Sequence, residues 1–159
     1  MTPKDANEIR AWRYPDEYAF YDMDADPEDL REFLDVDNWQ PDTKFVMADA
    51  DGVVLGFFEF TTHDGVTDMG LGLRPDLTGQ GLGADFLRAG LAFAVERFQP
   101  RLLRLQVAAF NRRAIRVYER IGFAITKTCM QTTNGGAYEF VEMEAAPSNL
   151  NLLCGDRSR

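Results

Sequence analysis

Residues 71–87 read LGLRPDLTGQGLGADFL: the end of an alternating apolar strand, a proline, then three glycines in five positions leading into an apolar-periodic segment. Where a strand passes through such a turn into a helix, successive backbone N–H groups converge on one point. The helix adds partial positive charge there, so the turn can cradle an anion. The same residues would also make a plain tight turn, and the flanks have to decide between the two.

On both sides the chain is punctuated clearly. Asp51-Gly52, Asp64-Gly65 and Asn134-Gly135 each divide two β-rich runs, and each pair tolerates the positive φ of a hairpin. They imply that strands 44–50 (KFVMADA) and 53–62 (VVLGFFEFTT) pair, the second also with 66–74 (VTDMGLGLR), and that 123–133 pairs with 137–145. After the glycines, Leu87, Leu91, Ala94, Val95 and Phe98 recur at helical spacing, with Leu82, Phe86 and Phe93 beside them. The pattern predicts a helix over about 82–98, stopped by Pro100. LLRLQVAAF (102–110) reads as the next strand, and RRAIRVYERIG (112–122) as a helix ending on Gly122. Nearer the start, Asp26 suits an N-cap, with Pro27 in the first helical position and Glu28 and Asp29 in the first turn. Residues 12–23 read as a strand end and a helical turn, with Trp12, Tyr14, Tyr18 and Phe20 suited to a core.

This order predicts a mixed α+β domain over residues 1–146, followed by a tail, 147–159. Its sheet has seven strands, mostly antiparallel, with one central right-handed parallel β-α-β crossover and flanking helices.

Three anion-binding loops can be compared with the glycine stretch. A P-loop needs a Lys after its last glycine, and none is present. A dinucleotide fingerprint is formally matched by Gly79, Gly81 and Ala84, but the following strand has no acid to hold a ribose, and three hairpinned strands precede it. The third is the pyrophosphate loop of the GNAT superfamily of acetyl-CoA-dependent N-acetyltransferases, which 71–87 resembles. LRLQVAAFNRRAIRVYERIGF (103–123) resembles that superfamily's next element at the right distance: strand, Asn, a helix carrying Ala-Ile and Tyr-Glu, then Gly-Phe. The resemblance runs from about Phe45 to Met143.

The resemblance implies that acetyl-CoA is the cosubstrate and that Thr78, Gly79, Gln80, Gly81, Leu82, Gly83 and Ala84 hold its pyrophosphate. It implies that the strand before the loop bulges and splays from its parallel neighbour, so that the pantetheine arm bonds to the backbone of Leu71, Gly72 and Leu73, with Asn111 assisting. Tyr118 would then protonate the leaving thiolate. Two positions depart from the family pattern. Thr78 replaces the usual Arg or Gln, which shifts weight to backbone amides or to Arg112, Arg113 or Arg116. Gln106 stands where some relatives carry a glutamate, leaving Asp68 and Glu59 as the candidates for general base. The reaction implied is direct acetyl transfer to a primary amine, on a small molecule or a peptide. The alternative is a non-catalytic acyl-CoA sensor or partner-binding module.

Composition narrows the partners. A net charge of −9 disfavours nucleic acid and anionic membrane and suits a cationic acceptor. One histidine, His63, with Cys129 and Cys154 in no C-x-x-C pair, suggests no metal site and no disulfide framework. No apolar run approaches the ~18 residues of a membrane span, and the start lacks a leader-like core, so a cytoplasmic protein is expected. Leu150, Leu152 and Leu153, in a tail with no evident core, suggest a homodimer.

Overall fold

The computed structural model describes residues 1–153, so Cys154 and the rest of the expected tail lie outside it. Two of the three glycine dipeptides make two-residue turns with both φ angles positive: Asp64 and Asn134 at 50°, Gly65 at 77° and Gly135 at 71°. They join β2 (Val54–His63) to β3 (Val66–Leu73) and β5 (Ala124–Thr133) to β6 (Gly136–Ala145). At Asp51-Gly52 only the glycine has a positive φ. The longer turn after β1 (Lys44–Ala48) is instead closed by the Asp49 carboxylate, which accepts from the N–H groups of Asp51 and Val53, each at 2.9 Å.

The six strands lie in the order β1-β2-β3-β4-β6-β5, where β4 is Leu102–Ala108. Every neighbouring pair is antiparallel except β3 with β4. That pair is bridged by the long helix α3 (Gly83–Phe98), and α4 (Arg112–Ile121) follows β4. Before the sheet come α1 (Pro3–Ile9) and α2 (Pro27–Leu34). The expected seventh strand near residue 12 is absent from the described residues. The chain there makes α1, closed by a capping box between Thr2 and Asp5 with Pro3 in its first turn, and then a 3-10 turn over Asp16–Tyr21. Local capping at the start, and two prolines that set the chain direction, outweigh the β propensity of the aromatic run.

Alternation along the strands divides the apolar residues between two faces. On one face α3 and α4 cover the main core, which includes Phe58, Phe60, Met69, Leu87, Leu91, Leu103, Leu105, Ile115 and Met143. Contact there is close: a Cβ on Gly90 of α3 would lie 2.2 Å from the Phe58 ring. On the other face α1 and α2 cover a smaller core of Ala6, Ile9, Trp12, Phe33, Val54 and Phe57.

The chain after residue 146 continues into the same body. Leu150 and Leu152 pack against the main core, Asn151 N–H donates to Ile121 at 2.8 Å, and Arg88 Nε donates to the Asn151 carbonyl at 3.1 Å. Of the three tail leucines only Leu153 is exposed, at 82 %. Two of the three leucines that prompted the homodimer expectation thus join the chain's own core.

Gly122 is where the tail and α4 meet. Its φ is 124°, and a Cβ there would lie 2.2 Å from the backbone oxygen of Asn149. At Gly52 the φ is also positive, 81°, but nothing lies within 4 Å. Gly52→Ala is therefore expected to cost about 1–2 kcal/mol from backbone conformation alone. Gly122→Ala should cost more than about 3 kcal/mol, because a backbone clash adds to the same strain. Urea unfolding of both variants checks the ranking.

Candidate active site

The site begins where two strands part. β3 and β4 pair through only three residue pairs, Val66 with Leu102, Thr67 with Leu103 and Asp68 with Arg104. Beyond that point β3 keeps its register with β2 to Leu73, and β4 keeps its register with β6 to Ala108. A split therefore opens between Met69–Leu73 and Leu105–Ala108. The β2–β3 register is unbroken, so the splay comes without the expected bulge. Both following helices start at the open end of the split, α3 after β3 and α4 after β4.

Backbone direction can be read from the alternation of strand hydrogen bonds. The Gly65 carbonyl accepts from Arg101 and Leu102 on the β4 side, whereas Arg74 N–H goes to Leu55 on β2. Met69, Leu71 and Leu73 thus present their backbone groups to the split, and Gly72 turns its own into β2. The space over Gly72 is taken up by Phe57, whose ring would lie 2.3 Å from a Cβ there. Gly72 is a glycine because of that ring. At Gly70 a Cβ would make only ordinary contact with Glu59.

Helix capping singles out α3. Thr2 caps α1, Asp26 caps α2 by accepting from Glu28 and Asp29, and Asn111 Oδ1 caps α4 by accepting from Ala114 N–H at 3.1 Å. At the start of α3 stands Leu82, which offers no capping side chain. The first-turn amides of a helix need partners, and a bound anion is one way to supply them. The loop leading there takes positive φ at Gly79 (74°) and Gly81 (77°), and a Cβ on Gly81 or Gly83 would meet nothing within 4 Å. The loop therefore leaves room for a phosphate to approach its amides.

Side chains around the loop differ from expectation. The Thr78 hydroxyl donates to the Pro75 carbonyl at 2.7 Å, so its proton is already committed within the loop. Gln80 Nε2 likewise turns back to the Asp76 carbonyl. The cation at the loop is Arg113. Its Nη1 lies 3.9 Å from where a Gly79 Cβ would sit, and its guanidinium stacks 4.3 Å over the Tyr18 ring. Arg112 and Arg116 are exposed.

Two tyrosines from the N-terminal segment reach the edges of the split. Tyr14 Oη donates to the Leu73 carbonyl at 2.9 Å. Tyr21 Oη accepts from Asn111 Nδ2 at 3.2 Å. Neither role was legible beforehand. Both bonds join residues more than fifty positions apart, and no local spacing signals them.

Tyr118 lies on α4, on the rim of the main core, with its ring 6.3 Å from that of Phe123. Burial raises its hydroxyl pKa well above the ordinary phenol value, and nearby Tyr21 pushes the same way. Among the described residues no buried side-chain polar atom lacks a partner, and Tyr118 Oη has no protein partner, so it keeps an open face. Asp68 and Glu59 point to the opposite side of the sheet, the side that α1 and α2 cover. Asp68 stands at the last paired position, 3.7 Å from Arg104, which binds Glu144 more closely at 2.9 Å. Glu59 is held by Lys44, whose ammonium lies over the Phe33 and Trp39 rings at 5.5 and 5.8 Å. The proton donor and the two candidate bases thus flank the split from opposite faces.

Comparisons with known proteins place the chain in a family and the fold beside solved structures. The model of the acetyltransferase (GNAT) domain matches residues 1–124, and the chain belongs to that family. A mycothiol acetyltransferase of Streptomyces avermitilis is 36 % identical over 93 residues, which is 57 % of this chain and 30 % of that protein. One from Corynebacterium aurimucosum is 42 % identical over 57 residues, 36 % of this chain and 18 % of its own. This chain thus spans about a third or less of the curated relatives it matches. Among solved structures, a variant of the spermidine N-acetyltransferase of Vibrio cholerae superposes with a TM-score of 0.70 at 19 % identity, covering 100 % of this chain and 97 % of that one. A GNAT-family acetyltransferase of Bacillus anthracis gives a TM-score of 0.70 at 14 % identity, covering 93 % and 92 %.

Proposed function

We propose that this GNAT-family chain transfers an acetyl group from acetyl-CoA to a primary amine by direct attack within a ternary complex. The observation that carries the reading is the uncapped start of α3, reached through two positive-φ glycines and opening beside two strands that part. The residues present fit acetyl-CoA: Gly79, Gly81, Gly83 and Ala84 supply amides for its pyrophosphate and Arg113 supplies charge. The Leu71 backbone lines the split that would take the pantetheine arm.

Acetyl-CoA supplies an acyl group on a thioester whose sulfur leaves as a thiolate. The Leu71 N–H, fixed by the sheet, is placed to polarise a carbonyl in the split. A preorganised donor of this kind commonly contributes about 3–4 kcal/mol to lowering the barrier. Tyr118 then gives its Oη proton to the departing sulfur. Its raised pKa keeps the group protonated at any pH where an amine is free to react, while making it a weaker acid toward the sulfur. An alkyl amine arrives mainly as ammonium, because it titrates near ~10.4. It must lose a proton first, and Asp68 at the apex of the split is the better placed of the two carboxylates to accept it. Glu59 is already held by Lys44. The acceptor is a small-molecule or peptide amine. Spermidine, named for the structural neighbours, belongs in the first panel tried, beside lysine and peptide N-termini.

Gly83 has an ordinary helical backbone and open space at its Cβ. Gly83→Ala should therefore stabilise the fold by about 0.5–1 kcal/mol while weakening acetyl-CoA at least several-fold. Thermal melts with and without acetyl-CoA separate the two effects, and unchanged affinity would sink the cradle reading. Tyr118→Phe should leave acetyl-CoA affinity nearly intact and lower kcat by about 10²–10⁴ in a thiol-release assay with an accepted amine. In the wild type, kcat should not fall through the ordinary phenol range near about pH 10. Wild-type turnover by Tyr118→Phe would assign the proton to another group. Binding without turnover on any amine would favour a sensor.

A further inference from the structure

The first turn of α4 breaks a rule that the other α-helices keep. α1 has Asp5 in its first turn, α2 has Glu28 and Asp29, and α3 has Asp85, acids at the positive end of the helix dipole. α4 has no acid there and opens on Arg112 and Arg113, two cations where the dipole opposes them. Arg116 and Arg120 follow Arg112 at four-residue spacing, so like charges stack along one exposed stripe and repel. A shortage of carboxylates is not the cause. The chain has 26 acids against 17 basic residues, and Arg13, Arg31, Arg74, Arg88, Arg97 and Arg104 each meet one. Two of the four arginines on α4 are committed. Arg113 stacks on Tyr18 with its Nη1 beside Gly79, and Arg120 Nε turns back to the Arg116 carbonyl at 3.3 Å. Arg112 and Arg116 are exposed, and among the described residues neither guanidinium has a hydrogen-bond or ion-pair partner. At 3.6 residues per turn, Arg116 stands about 60° around α4 from Arg113, and Arg112 about 40° further. Ile115 and Ile121 are buried. The free pair therefore adjoins the arginine that stands at the glycine loop.

We infer that Arg112 and Arg116 form a subsite for a phosphate monoester, the 3′-phosphate that acetyl-CoA carries on its ribose in addition to the pyrophosphate. This rests on the acetyl-CoA reading above and deepens it. The glycine loop and Arg113 take the pyrophosphate, and the free pair on α4 selects the 3′-phosphorylated form of the cosubstrate. A phosphate monoester carries about −1.5 to −2 charge at pH 7 and three strong acceptor oxygens. Guanidinium forks match such a group in geometry as well as charge. A dianion held there also offsets the dipole and the Arg112–Arg116 repulsion, so an arrangement that disfavours the free helix favours the complex.

The test is calorimetric titration of acetyl-CoA and of its 3′-dephospho form into the wild type and the double variant Arg112→Gln/Arg116→Gln. At low salt the wild type is expected to prefer acetyl-CoA by about tenfold, the worth of one charge-assisted hydrogen bond. The preference should shrink as NaCl rises from ~50 to ~300 mM, because both arginines are exposed. The double variant should bind the 3′-dephospho form as the wild type does and show no preference. Its melting temperature without ligand should equal or exceed that of the wild type. A clearly lower one assigns the pair a structural role and overturns the inference. Equal binding of both forms by the wild type, or a preference that survives in the variant, overturns the subsite and leaves the acetyl-CoA reading standing. Equal weakening of both forms in the variant moves the pair to the pyrophosphate and also overturns the subsite. Binding of neither form by the wild type overturns the acetyl-CoA reading, and the subsite falls with it.

Discussion

Two parallel strands that begin together and then separate leave backbone groups which must be satisfied some other way. Each buried N–H or C=O without a partner costs about 1–3 kcal/mol, so a sheet does not part without a reason. Here β3 and β4 part after Asp68 and Arg104, and each holds its place through its other neighbour. Much of the surrounding structure answers that constraint. Tyr14 takes the last carbonyl of β3, Tyr21 and Asn111 close the tip of β4, and the amide and carbonyl of Leu71 face the gap. The gap persists because the strands are anchored on their outer sides.

The same constraint explains how the two faces of the sheet differ. The α3 and α4 face is a dry core built from Phe58, Phe60 and the apolar residues of both helices. The opposite face is dry only under α1 and α2. Further along it becomes a ladder of charge in which Arg104 reaches Asp68, Glu142 and Glu144, and Lys127 also reaches Glu142. Although burial opposes it, bonds from Gln106 and Lys127 hold the Glu142 carboxyl below its ordinary range. Gln106, standing where a catalytic glutamate could have stood, has become part of this network. It donates to Glu142 and accepts from Gln131. Both ends of its amide are committed to the ladder.

What could be read in the sequence was what depends on neighbours in the chain. Asn134-Gly135 and Asp64-Gly65 forced their turns, Asp26 and Asn111 capped their helices, and the period of Leu87, Leu91 and Ala94 gave the buried side of α3. What could not be read was long-range or competitive. The strand expected near Trp12 is instead an irregular link between α1 and the 3-10 turn over Asp16–Tyr21. Gly72 looked like room for a ligand but is room for Phe57, a partner fifteen residues away on the next strand. The tail leucines seemed to lack a core because the core they join is built from residues scattered between 58 and 145. Thr78 illustrates a subtler limit. The residue type is right for a phosphate donor, and only the structure shows that Pro75 has already claimed its proton.

Thr78 also bears on how the site is held together. The loop's own first side chain carries no charge and no free proton, and the cation beside the loop stands on α4 as Arg113. That guanidinium does not reach the loop freely, because it is stacked on Tyr18, whose ring lies 6.4 Å from that of Phe110. Phe110 in turn packs edge-on against Phe20 at 5.4 Å and lies close to Tyr21. The guanidinium beside the loop, the Phe20 and Phe110 rings and the phenol at the tip of β4 are therefore one packed aromatic unit. A loop-borne arginine would have acted alone. Placing the cation on a stacked neighbour ties its position beside the start of α3 to the packing of residues 14–21.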